Sequence, residues 1–422
     1  MSWSPADRVA AGDLAALVYA NPFTPERLAL EHRLLGLPPP PPGRAWHAQT
    51  GEDEERAARL VVRATALHVA SDDGDPPELR EAVAIYLLYE RFRPRLEALL
   101  RGPADAAIPW WGEFAEACGD LLPQAQPRGA IEHLLACLLQ VRRAFAAIHA
   151  QLVGASRPMA GLRAACWSSV FGADLRRYRT VLWERMRDFP TLVTGPSGSG
   201  KELVAQAVGA SAYVAVDGRR GRLAGDDAAS FLPLAISALS PALVEAELFG
   251  HRRGAFTGAV EERAGWLEVC PPHGCVFLDE LGEVEPSVQV KLLRVLQTRR
   301  FARVGEHAER VFRGRLVAAT NRDLAGEIAA GRFRGDVYYR LCADHIRTPS
   351  LAELIADDAQ ELDRLCLAAA ARAAGPTLAA EVAAEAATWI RAHLGEGYAW
   401  PGNVRELEQC VRSLLLRGSY AP

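Results

Sequence analysis

Apolar residues recur at helical spacing through the first third of the chain. Residues 25–35, 54–69, 78–100 and 112–122 are rich in strong helix formers, and turn residues such as 72–77 separate them. Because this periodicity is typical of helices that bury one face, we predict an all-helical N-terminal domain over residues 1–150. Consecutive prolines at 38–42 predict a stiff connector within it.

Two features of this helical region have more than one interpretation. Trp110 and Trp111 either pack into an aromatic corner or stack on a ligand. The last helix has apolar residues at alternating spacings of three and four, which is typical of a heptad seam. It is either buried within the N-terminal domain or a signalling helix that pairs between subunits. The seam comprises Ile131, Leu134, Leu138, Val141, Phe145, Ile148 and Leu152.

A different pattern begins after residue 153, where short apolar runs alternate with helical segments. Residues 191–194, 275–280 and 314–319 have the length and composition of buried strands. This alternation indicates an α/β domain with a parallel sheet, which we place at residues 151–345. The polar, glycine-rich residues 217–227 are predicted to form a surface loop.

The turn after the first of these strands has the chemistry of a phosphate-binding loop. Its sequence, GPSGSGKE at 195–202, lies between a strand and a helical segment. Glycines allow backbone N–H groups to point at phosphate oxygens, and Lys201 would reach the β- and γ-phosphates. Glu202 occupies the place of the usual Ser or Thr ligand of Mg²⁺, so the metal must be held elsewhere. The predicted nucleotide-binding residues are Gly195, Gly198, Ser199, Gly200, Lys201 and Glu202.

The second apolar strand ends in two acidic residues, Asp279 and Glu280. At the carboxyl edge of a parallel sheet, Asp279 would hold Mg²⁺ and Glu280 would orient and deprotonate the attacking water. Asn321 follows the third strand, where its amide either hydrogen-bonds the γ-phosphate or the lytic water, or forms a turn. The phosphate loop together with the two acids favours hydrolysis of a nucleoside triphosphate over nucleotide binding alone.

Composition narrows the choice of partners. The 422 residues allow about two or three domains, and a net charge of −4 argues against non-specific DNA binding. The eight cysteines are scattered without a C-x-x-C pair, so we predict reduced core residues. Neither a signal-like N-terminus nor an apolar run of membrane-spanning length is present. We therefore expect a cytoplasmic protein without a membrane partner.

Residues 247–259, with the sequence ELFGHRRGAFTGA, form a highly specific signature. This segment resembles the sigma-54-interacting loop of bacterial enhancer-binding proteins, which are AAA+ ATPases that open promoter complexes. Glycines at both ends of the loop would act as hinges, and an exposed phenylalanine with a threonine would make the contact. The resemblance implies that the sigma-54-binding residues are Gly254, Ala255, Phe256, Thr257, Gly258 and Ala259.

The resemblance covers residues 153–412 and extends to the catalytic motifs. The phosphate loop, including its glutamate, matches the family, as do the acids at 279–280 and the sensor I segment at 320–324. These matches imply an AAA+ P-loop ATPase that uses ATP and Mg²⁺.

Two arginine-bearing segments also resemble the family. Residues 333–341 are similar to its arginine-finger segment, which implies that Arg334 and Arg340 reach the γ-phosphate bound by a neighbouring subunit. Residues 400–407 are similar to sensor II, which implies that Arg405 faces the same phosphate from a helical lid over residues 346–422. Fingers that act between subunits imply a ring, usually a hexamer.

The chain departs from the family pattern in three places. Ala235 stands where the family usually has an asparagine that restrains the catalytic glutamate, and residues 348–354 lack the usual arginines. The chain stops at Pro422, so we expect no C-terminal helix-turn-helix and doubt direct sequence-specific DNA binding.

These observations leave two hypotheses about function. The first is an ATP-hydrolysing, sigma-54-dependent transcription regulator that remodels the closed complex of the sigma-54 RNA polymerase holoenzyme. The alternative is an AAA+ adaptor or remodeller with weak hydrolysis that acts on another protein. Intact Lys201, Asp279 and Glu280 and the complete loop favour the first hypothesis.

Overall fold

The computed structural model describes residues 2–40, 51–103, 105–122, 127, 129–225, 231–256, 259–395 and 397–421. The chain divides into two compact units. One comprises residues 1–146, 170–186 and 211–229, and the other comprises 147–169, 187–210 and 230–422. The domain boundaries predicted at residues 150 and 345 are not tested by this division and stay predictions.

The N-terminal region is helical where the periodicity predicted helices, and it has one helix that was not predicted. That helix, α1, begins after Ser4, whose hydroxyl accepts a hydrogen bond from the N–H of Asp7. The helices of the region are α1 (Pro5–Tyr19), α2 (Pro25–Leu34), α3 (Gly51–Ala70), α4 (Pro77–Leu100), α5 (Trp111–Leu121) and α6 (Ala130–Gln151).

Packing within the first unit bears on both open interpretations. The Trp110 ring lies 5.5 Å from that of Phe92, which favours the aromatic corner over a ligand platform. On α6, Leu134 is buried and Phe145 stacks on Phe23 at 5.3 Å. These contacts favour a helix buried in its own unit over one that pairs between subunits.

The segment predicted as a surface loop at 217–227 contains a hairpin in its described part, and residues 226–227 lie outside the described residues. Val216 and Leu223 are both buried, and these two apolar anchors draw the intervening polar residues into an antiparallel pair. The central elements are α7 (Arg157–Phe171), α8 (Leu175–Arg177), β1 (Thr191–Thr194), α9 (Lys201–Gly209), β2 (Val216–Asp217) and β3 (Arg222–Leu223).

Alternating strands and helices continue to residue 347, and four helices follow as a lid. These elements are β4 (Phe231–Ala235), α10 (Pro241–Phe249), β5 (Gly250–His251), β6 (Arg263–Ala264), α11 (Trp266–Val269), β7 (Cys275–Asp279), α12 (Pro286–Thr298), β8 (Arg300–Phe301), β9 (Arg310–Val311), β10 (Arg315–Thr320), α13 (Leu324–Ala329), α14 (Gly335–Leu341), β11 (Asp344–Arg347), α15 (Leu351–Asp357), α16 (Glu361–Ala374), α17 (Ala379–His393) and α18 (Asn403–Arg417).

A parallel five-stranded sheet organises the second unit, with the strand order β11-β1-β10-β7-β4. Every residue of β10 is buried, as is expected of a central strand covered by helices on both faces. Sheet, helices and lid confirm the predicted α/β AAA+ fold, in which β11 is an edge strand that the sequence pattern did not predict.

Two predictions about residue chemistry can be checked on the described residues. All eight cysteines are free, and all but the half-buried Cys342 are buried, which confirms reduced core residues. No helix in the described part of the chain combines the length and the apolar character needed to cross a membrane.

Candidate functional site

The carboxyl ends of all five strands lie at one edge of the sheet because the strands are parallel, and four of them carry a polar residue there. Thr194, at the end of β1, pairs with Thr320 of β10 and with Arg347 of β11. On the far side of β10, Asp279 of β7 pairs with Ala235 of β4. The phosphate loop, Asn321 and the two acids therefore begin at neighbouring strand ends, as predicted from the sequence.

The phosphate loop is shaped by close approach to two other segments. Gly195 has φ 151°, and a Cβ there would collide with the Thr348 hydroxyl. Gly198 has φ 73°, and its Cβ would collide with the Gly402 carbonyl. Any larger residue would displace the loop, which explains both glycines. Ser199 hydrogen-bonds Thr348 at 2.7 Å, so Thr348 supports the loop from below.

Lys201 begins α9 and folds back over the loop. Its Nζ donates to the carbonyls of Gly195 and Pro196, both at 2.9 Å. Burial lowers the pKa of the Lys201 ammonium, the Asp279 carboxylate opposes this shift, and Arg405 adds to it. The ammonium thus lies within electrostatic reach of the acid predicted to hold Mg²⁺ and of the predicted sensor II arginine.

The two acids differ in their backbone conformation. Asp279 ends β7 in the extended form, and its Oδ1 accepts the Glu280 N–H at 2.9 Å. Glu280 has φ 58°, a left-handed conformation that is uncommon for a residue with a side chain. Such backbone turns occur where a site holds a side chain in one direction. No group of three or more His, Cys, Asp or Glu suited to a metal ion occurs among the described residues.

Asn321 lies directly after β10, between the ends of β1 and β7. Its side chain is exposed, and the turn that follows is formed by its neighbours: Thr320 accepts the Arg322 N–H, and Asp323 caps α13. Because these residues supply the local turn contacts, the Asn321 amide is available to a ligand at the sheet edge.

The lid reaches the phosphate loop through Asn403 at the start of α18. Its amide accepts the Leu351 N–H and donates to the Ser197 carbonyl, both at 2.9 Å. Asn403 has φ 53°, which asparagine tolerates better than most residues. The N–H of Arg405 donates to the Gly198 carbonyl at 3.3 Å, so the exposed Arg405 side chain begins beside the loop.

The predicted finger arginines are placed differently from the other site residues. Arg334, at the N-terminal cap of α14, forms a two-point ion pair with Asp336 at 3.0 and 2.7 Å and lowers the pKa of that carboxyl. Arg340 is exposed on the same helix. Within the described residues, neither guanidinium contacts the chain's own phosphate loop.

Ala235 occupies the position suggested by the sequence comparison with the family pattern. It is the last residue of β4, it pairs with Asp279, and it is exposed. A methyl group cannot hydrogen-bond a carboxylate, so residue 235 cannot restrain Glu280 through its side chain.

The described residues of the segment 250–259 are tied to residue 304 at Gly250 and Arg252. The N–H of Arg252 donates to the Val304 carbonyl at 3.1 Å, and the Val304 N–H donates to Gly250 at 2.8 Å. Gly254 and Ala259 close the loop with a 2.8 Å hydrogen bond from the Gly254 N–H. Ala255 is half-buried.

Phe256 departs from the prediction, and two loop residues are outside the described structure. Phe256 was predicted to be exposed, but it is half-buried, with its ring 5.0 Å from that of His251 in an edge-to-face contact. The adjacent aromatic ring provides apolar contact that a lone exposed phenylalanine would lack. Thr257 and Gly258 lie outside the described residues.

Sequence reasoning assigned no role to Thr348, Asn403 or Gln289, although all three are buried polar residues at this site or its supports. The first two lie within segments that had been singled out for other reasons. No local pattern marks them, because their partners lie far away in the chain.

The described residues fit a nucleoside triphosphate with Mg²⁺. The cationic side chains Lys201 and Arg405 begin at the phosphate loop, and the first amides of α9 have no acceptor within the helix. Asp279 supplies the carboxylate oxygens that Mg²⁺ prefers, and such sites commonly use one or two carboxylates together with phosphate oxygens.

Comparison with known proteins gives a consistent result. A sequence profile described as the Sigma-54 interaction domain matches residues 175–347. The chain is 44% identical over 220 residues to a Nif-specific regulatory protein of Azotobacter vinelandii, covering 52% of this chain and 38% of that protein. It is 37% identical over 327 residues to the transcriptional regulatory protein ZraR of Klebsiella oxytoca, covering 75% of this chain and 68% of that protein. The chain thus spans less than two thirds of the first of these relatives.

A solved structure is also similar. NtrX from Brucella abortus in complex with ATP shares 25% sequence identity with a TM-score of 0.46, over 72% of this chain and 61% of that chain.

Proposed function

Because the chain belongs to the family of sigma-54-dependent transcriptional regulators, we propose that it hydrolyses ATP in a ring of subunits and so remodels the closed complex of sigma-54 RNA polymerase. The observation that carries this proposal is the meeting of the phosphate loop, Asn321 and the acids 279–280 at one sheet edge, in a chain that also contains the loop 254–259.

Each residue at the edge has a distinct task in this proposal. Lys201 and the amides of the phosphate loop bind the phosphates, and Asp279 holds Mg²⁺, which neutralises phosphate charge when bound. Glu280 accepts a proton from the attacking water, and Asn321 orients that water or the γ-phosphate. Arg405 extends the cationic surface from the lid.

Arg334 and Arg340 complete the site of the neighbouring subunit. Among the described residues, neither guanidinium forms a hydrogen bond or ion pair with the chain's own phosphate loop, which supports this assignment because a finger that serves its own site would contact that loop. The Arg334–Asp336 pair is exposed and therefore weak, so the guanidinium can exchange Asp336 for a phosphate at little cost. A ring, usually a hexamer, is the assembly in which every site receives such a finger.

The loop 254–259 transmits the result of hydrolysis to sigma-54. Its base is tied to residue 304 and its arms close on one another, so the segment is presented as a unit. Phe256 supplies an apolar surface, and its edge-to-face contact with His251 can be exchanged for a partner pocket.

Removing either key side chain of the loop should separate hydrolysis from output. We expect Phe256→Ala to retain ATPase activity and ring assembly and to lose about 2 kcal/mol of sigma-54 binding, as hot-spot residues do. This corresponds to about a thirtyfold loss of affinity. Thr257→Ala should also retain ATPase activity and lose promoter opening. The measurements are ATPase rate, assembly and open-complex formation for each variant.

A matched control is Leu416→Ala, which removes an exposed apolar side chain in the last turn of α18. It should change none of the three measurements. A Phe256 variant that opens promoters fully would contradict the sigma-54 assignment. Parallel loss of ATPase activity would show that the loop is a structural part of the motor.

A second candidate function is an AAA+ adaptor or remodeller with weak hydrolysis on another target, and the observation that raises it is Ala235, which lacks the amide that the family pattern places beside the catalytic glutamate. If an amide at this position restrains Glu280, Ala235→Asn should lower the partner-free ATPase rate by about tenfold, the effect of one hydrogen bond to a charged group. Ala235→Leu has the same number and branching of side-chain heavy atoms as asparagine without the amide, and it should leave the rate near that of the wild type.

The outcome decides what residue 235 does. Equal effects of Asn and Leu would show that side-chain volume at the strand end matters and restraint does not. Wild-type rings without measurable hydrolysis would favour the adaptor.

A further inference from the structure

One glutamine of α12 is almost fully buried and uses its whole amide on the backbone. Gln289 is 1% exposed. Its Nε2 donates to the carbonyls of Val284 at 2.8 Å and Arg332 at 3.0 Å, and its Oε1 accepts the Arg334 N–H at 2.8 Å. A single side chain therefore joins three backbone groups from two separate segments.

The first of these segments follows Glu280 directly. A 3₁₀ turn over Leu281–Glu283 leads from Glu280 to Val284. Within it, the Glu283 N–H donates to the Glu280 carbonyl at 2.9 Å and the Val284 N–H donates to Leu281 at 3.1 Å. The Val284 carbonyl is therefore fixed relative to the end of β7.

The second segment carries Arg334. Gln289 binds the carbonyl of Arg332 and the N–H of Arg334, on either side of the buried Phe333. The backbone from which the Arg334 guanidinium projects is thus held at two points. Arg334 itself caps α14, so the same contacts fix where that helix begins.

Packing alone does not require an amide at this position. Val288 and Leu292 on the same helix are buried and belong to the apolar core around Phe333, where an aliphatic side chain would fit. An amide inside apolar surroundings is tolerated only when its hydrogen-bonding groups are paired, and here they are paired to Val284 and the Arg334 segment.

A second connection between these regions consists of ion pairs whose arginines are exposed. Arg322, next to Asn321, pairs with Glu283 at 2.5 Å and with Glu327 at 3.5 Å, and Glu327 holds Arg332 at 2.6 Å. Exposed ion pairs contribute little and are weakened by salt. The buried amide is therefore the firmer of the two links.

We infer that Gln289 is a positioning residue, which sets the place of Arg334 relative to the Glu280 end of the sheet so that the finger reaches the neighbouring subunit's γ-phosphate. The inference rests on the proposed function, because it concerns a finger that acts between subunits. Gln289 touches neither nucleotide nor water in this assignment and acts only through the backbone of residues 332 and 334.

Mixed rings can locate the effect in one subunit. Lys201→Ala subunits bind no ATP and can only donate a finger, whereas Arg334→Ala subunits bind ATP and can only accept one. Gln289→Met, which keeps the length of the side chain without its amide, is added either to the donor or to the acceptor. The measurements are kcat and KM for ATP of each mixture at equal assembly.

We expect the loss to follow the donor. Gln289→Met in the donor should lower kcat by about tenfold to a hundredfold, as small misplacements of a reacting group do, with KM unchanged. The same change in the acceptor should leave kcat within about twofold. A purely structural role would lower activity from the acceptor as well, since the acceptor performs the hydrolysis.

Controls separate the possible failures. Gln297→Met, on the exposed face of the same helix, should be silent in either subunit. If the methionine variant fails to assemble, Gln289→Leu repeats the test. A loss that follows the acceptor, or no loss in folded rings of either kind, would overturn the inference. A reference mixture without any recovered activity would instead contradict the proposed function itself.

Discussion

Glu280→Gln is expected to lower ATP turnover by about 10²–10⁴-fold while the protein still binds ATP. The amide has the shape of the carboxylate but cannot accept a proton from water. The change leaves intact the left-handed backbone at residue 280 and its N–H bond to Asp279. Lys201 and the phosphate loop are unchanged, so binding should be retained. ATP binding and steady-state hydrolysis on the same preparation provide the measurement.

Two further variants serve as controls for Glu280→Gln. Lys201→Ala should lose ATP binding as well as turnover, because it removes the ammonium that lies across the loop. Glu285→Gln makes the same chemical change at an exposed residue just before α12 and should have no effect. If Glu280→Gln hydrolyses ATP at close to the wild-type rate, Glu280 is not the base, and the division of tasks at the sheet edge is wrong.

Arg334→Ala is expected to lower turnover by about 10³–10⁵-fold, the effect typical of an arginine finger. Mixing it with Lys201→Ala should recover part of the activity, because one protein keeps an intact nucleotide site and the other an intact finger. Neither variant protein should hydrolyse ATP on its own. The physical reason is that the guanidinium of one subunit stabilises the charge that develops in the transition state at the nucleotide site of the neighbouring subunit.

The mixing experiment needs proof of mixed assembly by size or by cross-linking of differently labelled subunits. Arg313→Ala is the matched control, since Arg313 is exposed at the amino end of β10, opposite the edge that carries the site. Mixed rings that show only the sum of two inactive proteins would mean that Arg334 does not act between subunits.

The local sequence pattern was sufficient to predict the strands that lead into the phosphate loop and the two acids. The strand at 191–194 was predicted with the bounds that the structure has, and the strand predicted at 275–280 ends one residue earlier, at Asp279. Both are short apolar runs closed by glycine or acid, so neighbours in the chain determine them. The helix α1 was missed because alanines lie on both its buried and its exposed positions, so the contrast between its two faces is weak in the sequence.

Placement of the support residues could not be predicted from pattern. Thr348 lies beneath Gly195, and Asn403 binds Ser197, across long stretches of intervening chain. Each is an ordinary polar residue in its own segment. Only the neighbouring positions of β1 and β11, and the docking of the lid, give these side chains their partners.

For this protein, the sequence by itself determined the α/β class, the phosphate loop, the acids at the end of β7 and the loop 254–259, because each depends on residues adjacent in the chain. The tertiary structure alone decided that β10 lies between β1 and β7, that Ala235 faces Asp279, that Phe256 is half-buried on His251 and that Gln289 holds the backbone of Arg334. These features depend on strand order and on packing between distant segments, whose free energy is set by contacts that no local periodicity encodes.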